Sequence, residues 1–217
     1  MSVRLAVFDC DGTLVDGQGA VCTAMDRAFA ECALPPPDHH QVRRIVGLSL
    51  PQALRLLAPA TTEAQRGALD AAYRSAFRAA REAGELAEPL FPGIAELVAR
   101  LHAAGWTLGV ATGKSDRGLE HCLATHGLSR HFTTLQTADR HPSKPHPAML
   151  QAALTEAGAA LGDAAMIGDT AYDIEMARAA GVRAIGVAWG YHEAAELRAA
   201  GAEAVARDPA ELWELLQ

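Results

Sequence analysis

From about residue 93 onward the chain repeats one pattern, a short apolar run, a polar loop and then a helical stretch, and this alternation constrains the fold more than any other feature. The apolar runs are Trp106 to Ala111, Phe132 to Leu135, Ala164 to Ile167 and Val182 to Val187. Helical patterns over Ile94–Ala104, Arg117–His126, Ala148–Ala157, Ala171–Ala180 and Ala194–Ala200 separate them. A further run, Val3 to Phe8, opens the chain and closes on Asp9-Cys10-Asp11-Gly12. Strands joined through helices lie parallel, and a parallel sheet is covered on both faces, so the fold class expected is α/β.

Residues 17–88 break the alternation. They offer helical runs at Ala20–Glu31, His39–Val46, Gln52–Leu57 and Glu63–Glu82 with no strand between them, which predicts an inserted helical domain. Pro35-Pro36-Pro37 separates the first two helices, and Glu88-Pro89-Leu90-Phe91-Pro92-Gly93 marks the return to the sheet. The expected division is therefore 1–16 with 89–217 as an α/β core domain, and 17–88 as a helical cap. With 217 residues, half of them hydrophobic, the chain can bury a core of that size.

The polar loops are where chemistry is expected, because ligands of open parallel sheets bind at the carboxyl ends of the strands. Asp9 and Asp11 follow the first run, Thr112, Gly113 and Lys114 the second, Lys144 the loop after the third, and Asp169 and Asp173 the fourth. Carboxylates crowded on one rim repel one another unless a cation neutralises them. All-oxygen ligation with room for water points to Mg²⁺. A divalent ion, a hydroxyl and an ammonium around an aspartate suit phosphoryl transfer, in which positioning and charge neutralisation do most of the work.

Composition narrows the alternatives. The formal net charge is −7 and basic residues are scattered, so no footprint for nucleic acid or an anionic membrane is present. No run approaches the ~20 apolar residues of a membrane span, and the start of the chain lacks a secretory apolar segment. Cys10, Cys22, Cys32 and Cys122 show no paired spacing, which fits reduced thiols and a cytoplasmic location. The nine histidines show no zinc-type spacing with an acidic partner. Of 19 basic residues only Lys114 and Lys144 are lysine, and both fall in motif-like loops. Gly109 to Ser115 looks like the tail of a nucleotide-binding P-loop, but only three residues separate Gly109 from Gly113 where that motif needs four. Lys114 is left as either a site residue or a surface lysine at a helix start.

Asp9-Cys10-Asp11-Gly12-Thr13-Leu14-Val15 resembles the first motif of the haloacid dehalogenase superfamily. Thr112, Ser143-Lys144-Pro145 and Gly168-Asp169-Thr170-Ala171-Tyr172-Asp173 resemble its second, third and fourth. The likeness spans the chain and includes a helical cap after the first strand, as in the phosphoglycolate phosphatase-like branch. It implies a Rossmann-like core and a Mg²⁺-dependent phosphatase acting on a small phosphorylated metabolite, with phosphoglycolate the leading guess. It also implies Asp9 as nucleophile, Asp11 as acid and base, Thr112 and Lys144 as phosphoryl-binding groups, and Asp9, the Asp11 carbonyl and Asp169 as metal ligands. Asp173 would orient Lys144 or metal-bound water, while Arg44, Gly47 and Gly113 would contact substrate. The motif departs from common relatives at Asp16-Gly17, where a serine often follows the aspartate. A sugar phosphomutase and a catalytically silent regulator stay open as alternatives, as do a monomer and a homodimer. Dehalogenases lack the second aspartate, and a receiver domain would not carry a 70-residue insertion.

Overall fold

The structure, a computed structural model, describes residues 2–217. Six parallel strands form one sheet in the order β3-β2-β1-β4-β5-β6. They are β1 (Leu5–Phe8), β2 (Thr107–Thr112), β3 (Phe132–Thr137), β4 (Ala164–Gly168), β5 (Arg183–Val187) and β6 (Ala204–Ala206). Around it run α5 (Ile94–Ala103), α6 (Asp116–Thr125), α7 (Ala148–Ala157), α8 (Ala171–Ala180), α9 (Ala194–Ala200) and α10 (Pro209–Leu215). The expected α/β architecture is therefore present.

β1 shows why the sheet needs cover on both sides. Its four residues are wholly buried, and the pleat sends Leu5 and Val7 to one face and Ala6 and Phe8 to the other. Phe8 joins Leu97, Leu101, Val110, Leu119 and Leu212 in one core layer. Val7 joins Met149, Leu150, Met166, Ile174 and Leu197 in the opposite layer. Each such side chain contributes roughly 1.5–3 kcal/mol by leaving water, so the layers on both faces hold the rim rigid.

Between β1 and α5 lie α1 (Gln18–Glu31), α2 (His39–Arg44), α3 (Leu50–Leu57) and α4 (Glu63–Glu82), with no named strand among them. They bury a cluster of their own that includes Met25, Phe29, Val42, Leu54 and Leu69. α4 starts on a capping box in which Gln65 N donates to Thr62 Oγ1 and Thr62 N donates to Gln65 Oε1, satisfying two orphan donors. The chain leaves and returns side by side. Val15 bridges Leu90 antiparallel, Asp16 N donates to Pro89 O at 2.8 Å and Phe91 N to Leu14 O at 3.1 Å.

Two elements were not expected from the sequence, β6 and α10. β6 has three residues, too few for a periodicity to register. α10 begins on a local signal nonetheless, with Asp208 Oδ1 accepting from Glu211 N at 2.8 Å and proline in the first turn. The helix expected over His39–Val46 ends at Arg44.

Candidate active site

Asp9 is placed by β1 and held by its neighbours. Its N–H donates to Ile167 O at 2.9 Å, extending the ladder with β4 one residue past the strand. Cys10 N donates to its Oδ1 at 2.6 Å. The carboxylate is fully buried, and Oδ2 has no hydrogen-bond partner. Lys144 Nζ lies 2.9 Å from Asp9 Oδ1 and 2.6 Å from Asp173 Oδ1, and its side chain is closed to solvent.

Asp173 is positioned by the start of α8. Its Oδ2 accepts from Thr170 N at 3.1 Å and Thr170 Oγ1 at 2.7 Å, a capping box with an acidic residue at its third position. Both oxygens of Asp173 are thus engaged, one by the helix start and one by Lys144. Asp169 accepts from Thr13 Oγ1 at 2.9 Å and from Tyr191 N at 2.9 Å. Gly12 sits against this carboxylate at φ +81°, and a Cβ there would fall 2.1 Å from Asp169 Oδ2, so only glycine fits the turn.

A second charged group stands beside the first. Lys114 Nζ is 3.0 Å from Asp11 Oδ1 and donates to Glu88 Oε1 at 2.5 Å, with all three side chains about one-tenth exposed or less. Lys114 is therefore a site residue rather than a surface lysine. Glu88 and Tyr191 went unrecognised in the sequence. Glu88 stands in the segment returning from the insertion, and only its place in that Pro-rich stretch set it apart.

The remaining expected residues divide. Phe8 pairs with Val110, so Thr112 lies at the same rim, buried, with Lys114 N donating to its Oγ1 at 3.2 Å. Gly47 faces Asp9, since a Cβ on it would lie 3.6 Å from Asp9 Oδ2. Gly113 is pressed against the insertion, where a Cβ would meet Leu48 O at 2.4 Å. Arg44 departs from expectation. Its guanidinium forms a two-pronged pair with Glu196 on α9, at 2.6 and 2.7 Å, which ties the insertion to the sheet layer.

The charge balance explains what this site can hold. Asp9, Asp169 and Asp173 offer oxygens all within 4.8 Å of one another, and Lys144 is the one ammonium among them, which leaves two negative charges unbalanced. Burial accordingly raises the Asp9 pKa to about 7, against the pull of Lys144 and helped by Asp173. Asp169 is driven well above the usual carboxylate range by burial, then by Asp173 and Asp9. Asp11 is also raised, by burial first, with Lys114 opposing and Glu88 reinforcing. Lys144 rises because Asp173 and Asp9 outweigh the effect of burial. The free Asp9 Oδ2 beside two further buried carboxylates fits a hard divalent cation with oxygen ligands.

Residues 6–187 match the family model of the haloacid dehalogenase-like hydrolases. The chain belongs to that family. A Dickeya dadantii protein named Probable phosphatase IndB is 38% identical over 200 residues, covering 90% of this chain and 86% of its own length. A phosphoglycolate phosphatase of Vibrio parahaemolyticus is 26% identical and spans 99% of this hydrolase and 96% of its own chain. Among solved structures, a haloacid dehalogenase-like hydrolase of Streptococcus pneumoniae superposes with a TM-score of 0.86 at 26% identity, over 99% of each chain. The expectations of family, fold class and hydrolase are borne out. Among the described residues no helix is long and apolar enough to cross a membrane.

Proposed function

We propose that this hydrolase is a phosphatase that transfers the phosphoryl group of a small phosphomonoester to Asp9 and then to water. The observation that carries the reading is the Asp9 carboxylate, wholly buried, gripped by Lys144 through Oδ1 and left with Oδ2 unpartnered. In the first step Asp9 attacks phosphorus, the bond from phosphorus to the ester oxygen breaks, and Asp11 gives its proton to the departing oxygen. In the second, water attacks phosphorus, its proton passes to Asp11, and the acyl-phosphate bond breaks to release inorganic phosphate and restore Asp9. The raised pKa of Asp11 suits a group that must hold a proton and then take one back.

Lys144 and Thr112 hold the transferring oxygens, and Asp173 keeps Lys144 in place. Asp9, the Asp11 carbonyl and Asp169 would hold Mg²⁺, which supplies neutralisation of charge on the phosphoryl oxygens and on the buried carboxylates. Residues 17–88 serve as a cap over a core of 1–16 and 89–217, with Gly47 and Leu48 seated over Asp9 and Gly113. Hinges near Asp16-Gly17-Gln18-Gly19 and Phe91-Pro92-Gly93 adjoin the paired connectors at 14–16 and 89–91, and closure expels bulk water. The relatives' names make phosphoglycolate the first ester to assay.

Asp9→Asn tests the reading, since it preserves shape and removes the nucleophile. Hydrolysis of phenyl phosphate with Mg²⁺ is expected to fall below detection with an unchanged circular dichroism spectrum. Retained turnover in a folded variant would refute the assignment.

A further inference from the structure

Between the insertion and the sheet lies a cleft of ≈ 390 Å³ whose inner end is formed by Asp11, Gly47 and Gly113. Its volume falls in the range of sites for ligands of drug size, whereas the leaving group of phosphoglycolate has about five non-hydrogen atoms and would leave most of it empty. The walls are specific in chemistry. α4 presents Tyr73, Arg74, Phe77, Arg78 and Arg81 to the cleft, a spacing that puts them on one helix face. The Tyr73 and Phe77 rings stand 5.1 Å apart and tilted, offering an apolar surface beside Met25 and Leu48.

Of the guanidiniums on that face, one is spent on the protein. Arg74 pairs with Asp70 at 2.7 Å. Arg78, Arg81 and Arg117, the last from α6 across the cleft, make no salt bridge among the described residues. Arg81 Nε is buried with no hydrogen-bond partner. A buried donor without an acceptor is costly, and guanidinium forks match planar oxygen acceptors.

Resting on the phosphatase reading above, we propose that the cleft selects phosphomonoesters with a large leaving group, a ring-sized body against Tyr73 and Phe77 and acceptor oxygens at the far end facing Arg78, Arg81 and Arg117. A two-carbon hydroxy-acid phosphate carries no ring for that apolar surface. The substrate class is thereby a ring-bearing phosphomonoester with distal carbonyl or anionic oxygens.

The test compares three esters with Mg²⁺: uridine 5′-monophosphate (ring with distal oxygens), phenyl phosphate (ring without them) and phosphoglycolate (neither ring nor length). For the natural chain, kcat/KM is expected to be roughly tenfold or more higher for the uridine ester than for phosphoglycolate. In Arg78→Ala/Arg81→Ala the loss on the uridine ester should exceed the loss on phenyl phosphate by about tenfold or more. Phosphoglycolate as the best of the three, or equal losses on both ring esters, would overturn the proposal. If none is turned over, the phosphatase reading fails instead, and calorimetric binding of the same three esters still decides the cleft. Tighter binding of the uridine ester that weakens in the double variant supports it, and equal affinities overturn it.

Discussion

The two lysines of this chain sit on either side of one acidic pair and differ in almost everything else. Lys144 is sealed in the sheet domain, bridging Asp9 and Asp173 with no exposed surface. Lys114 borders the cleft and bridges Asp11 to Glu88, a residue in the segment returning from the insertion. One cation would serve the group proposed to attack phosphorus, and it contacts only the sheet domain. The other would serve the group proposed to handle protons, and it is joined to the segment that returns from the insertion. On the proposed mechanism the contrast would separate chemistry fixed by the sheet from chemistry coupled to the insertion.

The largest effect should follow removal of the inner cation. Lys144→Met leaves Asp9 and Asp173 buried without their partner, a loss expected to cost about 3–5 kcal/mol of stability as well as turnover. Urea denaturation reads the first and phenyl phosphate hydrolysis the second. If stability moves by less than about 1 kcal/mol, the sealed pair is not what this geometry implies.

Lys114→Met should be milder in stability and still costly in rate. With Asp11 no longer held, kcat is expected to drop by about 10²-fold, within the usual range for acid–base catalysis, while the fold persists. Glu88→Gln keeps shape and removes one of the charges on Lys114, so its loss in kcat should be smaller. Equal effects of Lys114→Met and Lys144→Met on stability would erase the distinction between the two corners.

The smallest effect belongs to the latch between the regions. Arg44 holds the Glu196 carboxyl down at about 2, chiefly by its hydrogen bonds. A carboxyl depressed on folding contributes stability above its ordinary range near 4.5, and that stability disappears as pH falls toward 2. The pair is more than a third exposed, so solvent screening limits it to under about 1 kcal/mol. Arg44→Ala should therefore lower the unfolding midpoint slightly at pH 7 and not at pH 2. An equal shift at both values would show that the ion pair is not its source.

How far the sequence alone could be read follows from which residues act locally. Thr112 ends β2, Asp9 and Asp169 directly follow β1 and β4, Asp173 lies in the first turn of α8, and Asp11 and Lys144 stand in the loops after β1 and β3, so chain order and the sheet rule bring them to one rim. Asp173 even declares its place through the capping box it forms with Thr170. The fold was legible for the same reason, apart from β6, whose three residues are too short to show a period, and α10, which the sequence marks only by its Asp208-Pro209 start. Glu88 and Tyr191 were not legible. They reach the site through the pairing of residues 14–16 with 89–91 and through the loop after β5, long-range contacts that no local pattern records. Arg44 misled for the complementary reason: its neighbours Gly47 and Leu48 do cover the site, while its own side chain turns to Glu196 on α9.

The central claim is that phosphorus becomes bonded to the residue 9 carboxylate, and trapping it is the most direct measurement. The full chain with Mg²⁺ and phenyl phosphate is quenched in acid within one turnover, digested, and the peptides are weighed by mass spectrometry. The account predicts one added phosphoryl group, on Asp9 and absent from Asp9→Asn. Turnover with that label on another side chain, or with none on the protein at any quench time, would contradict it.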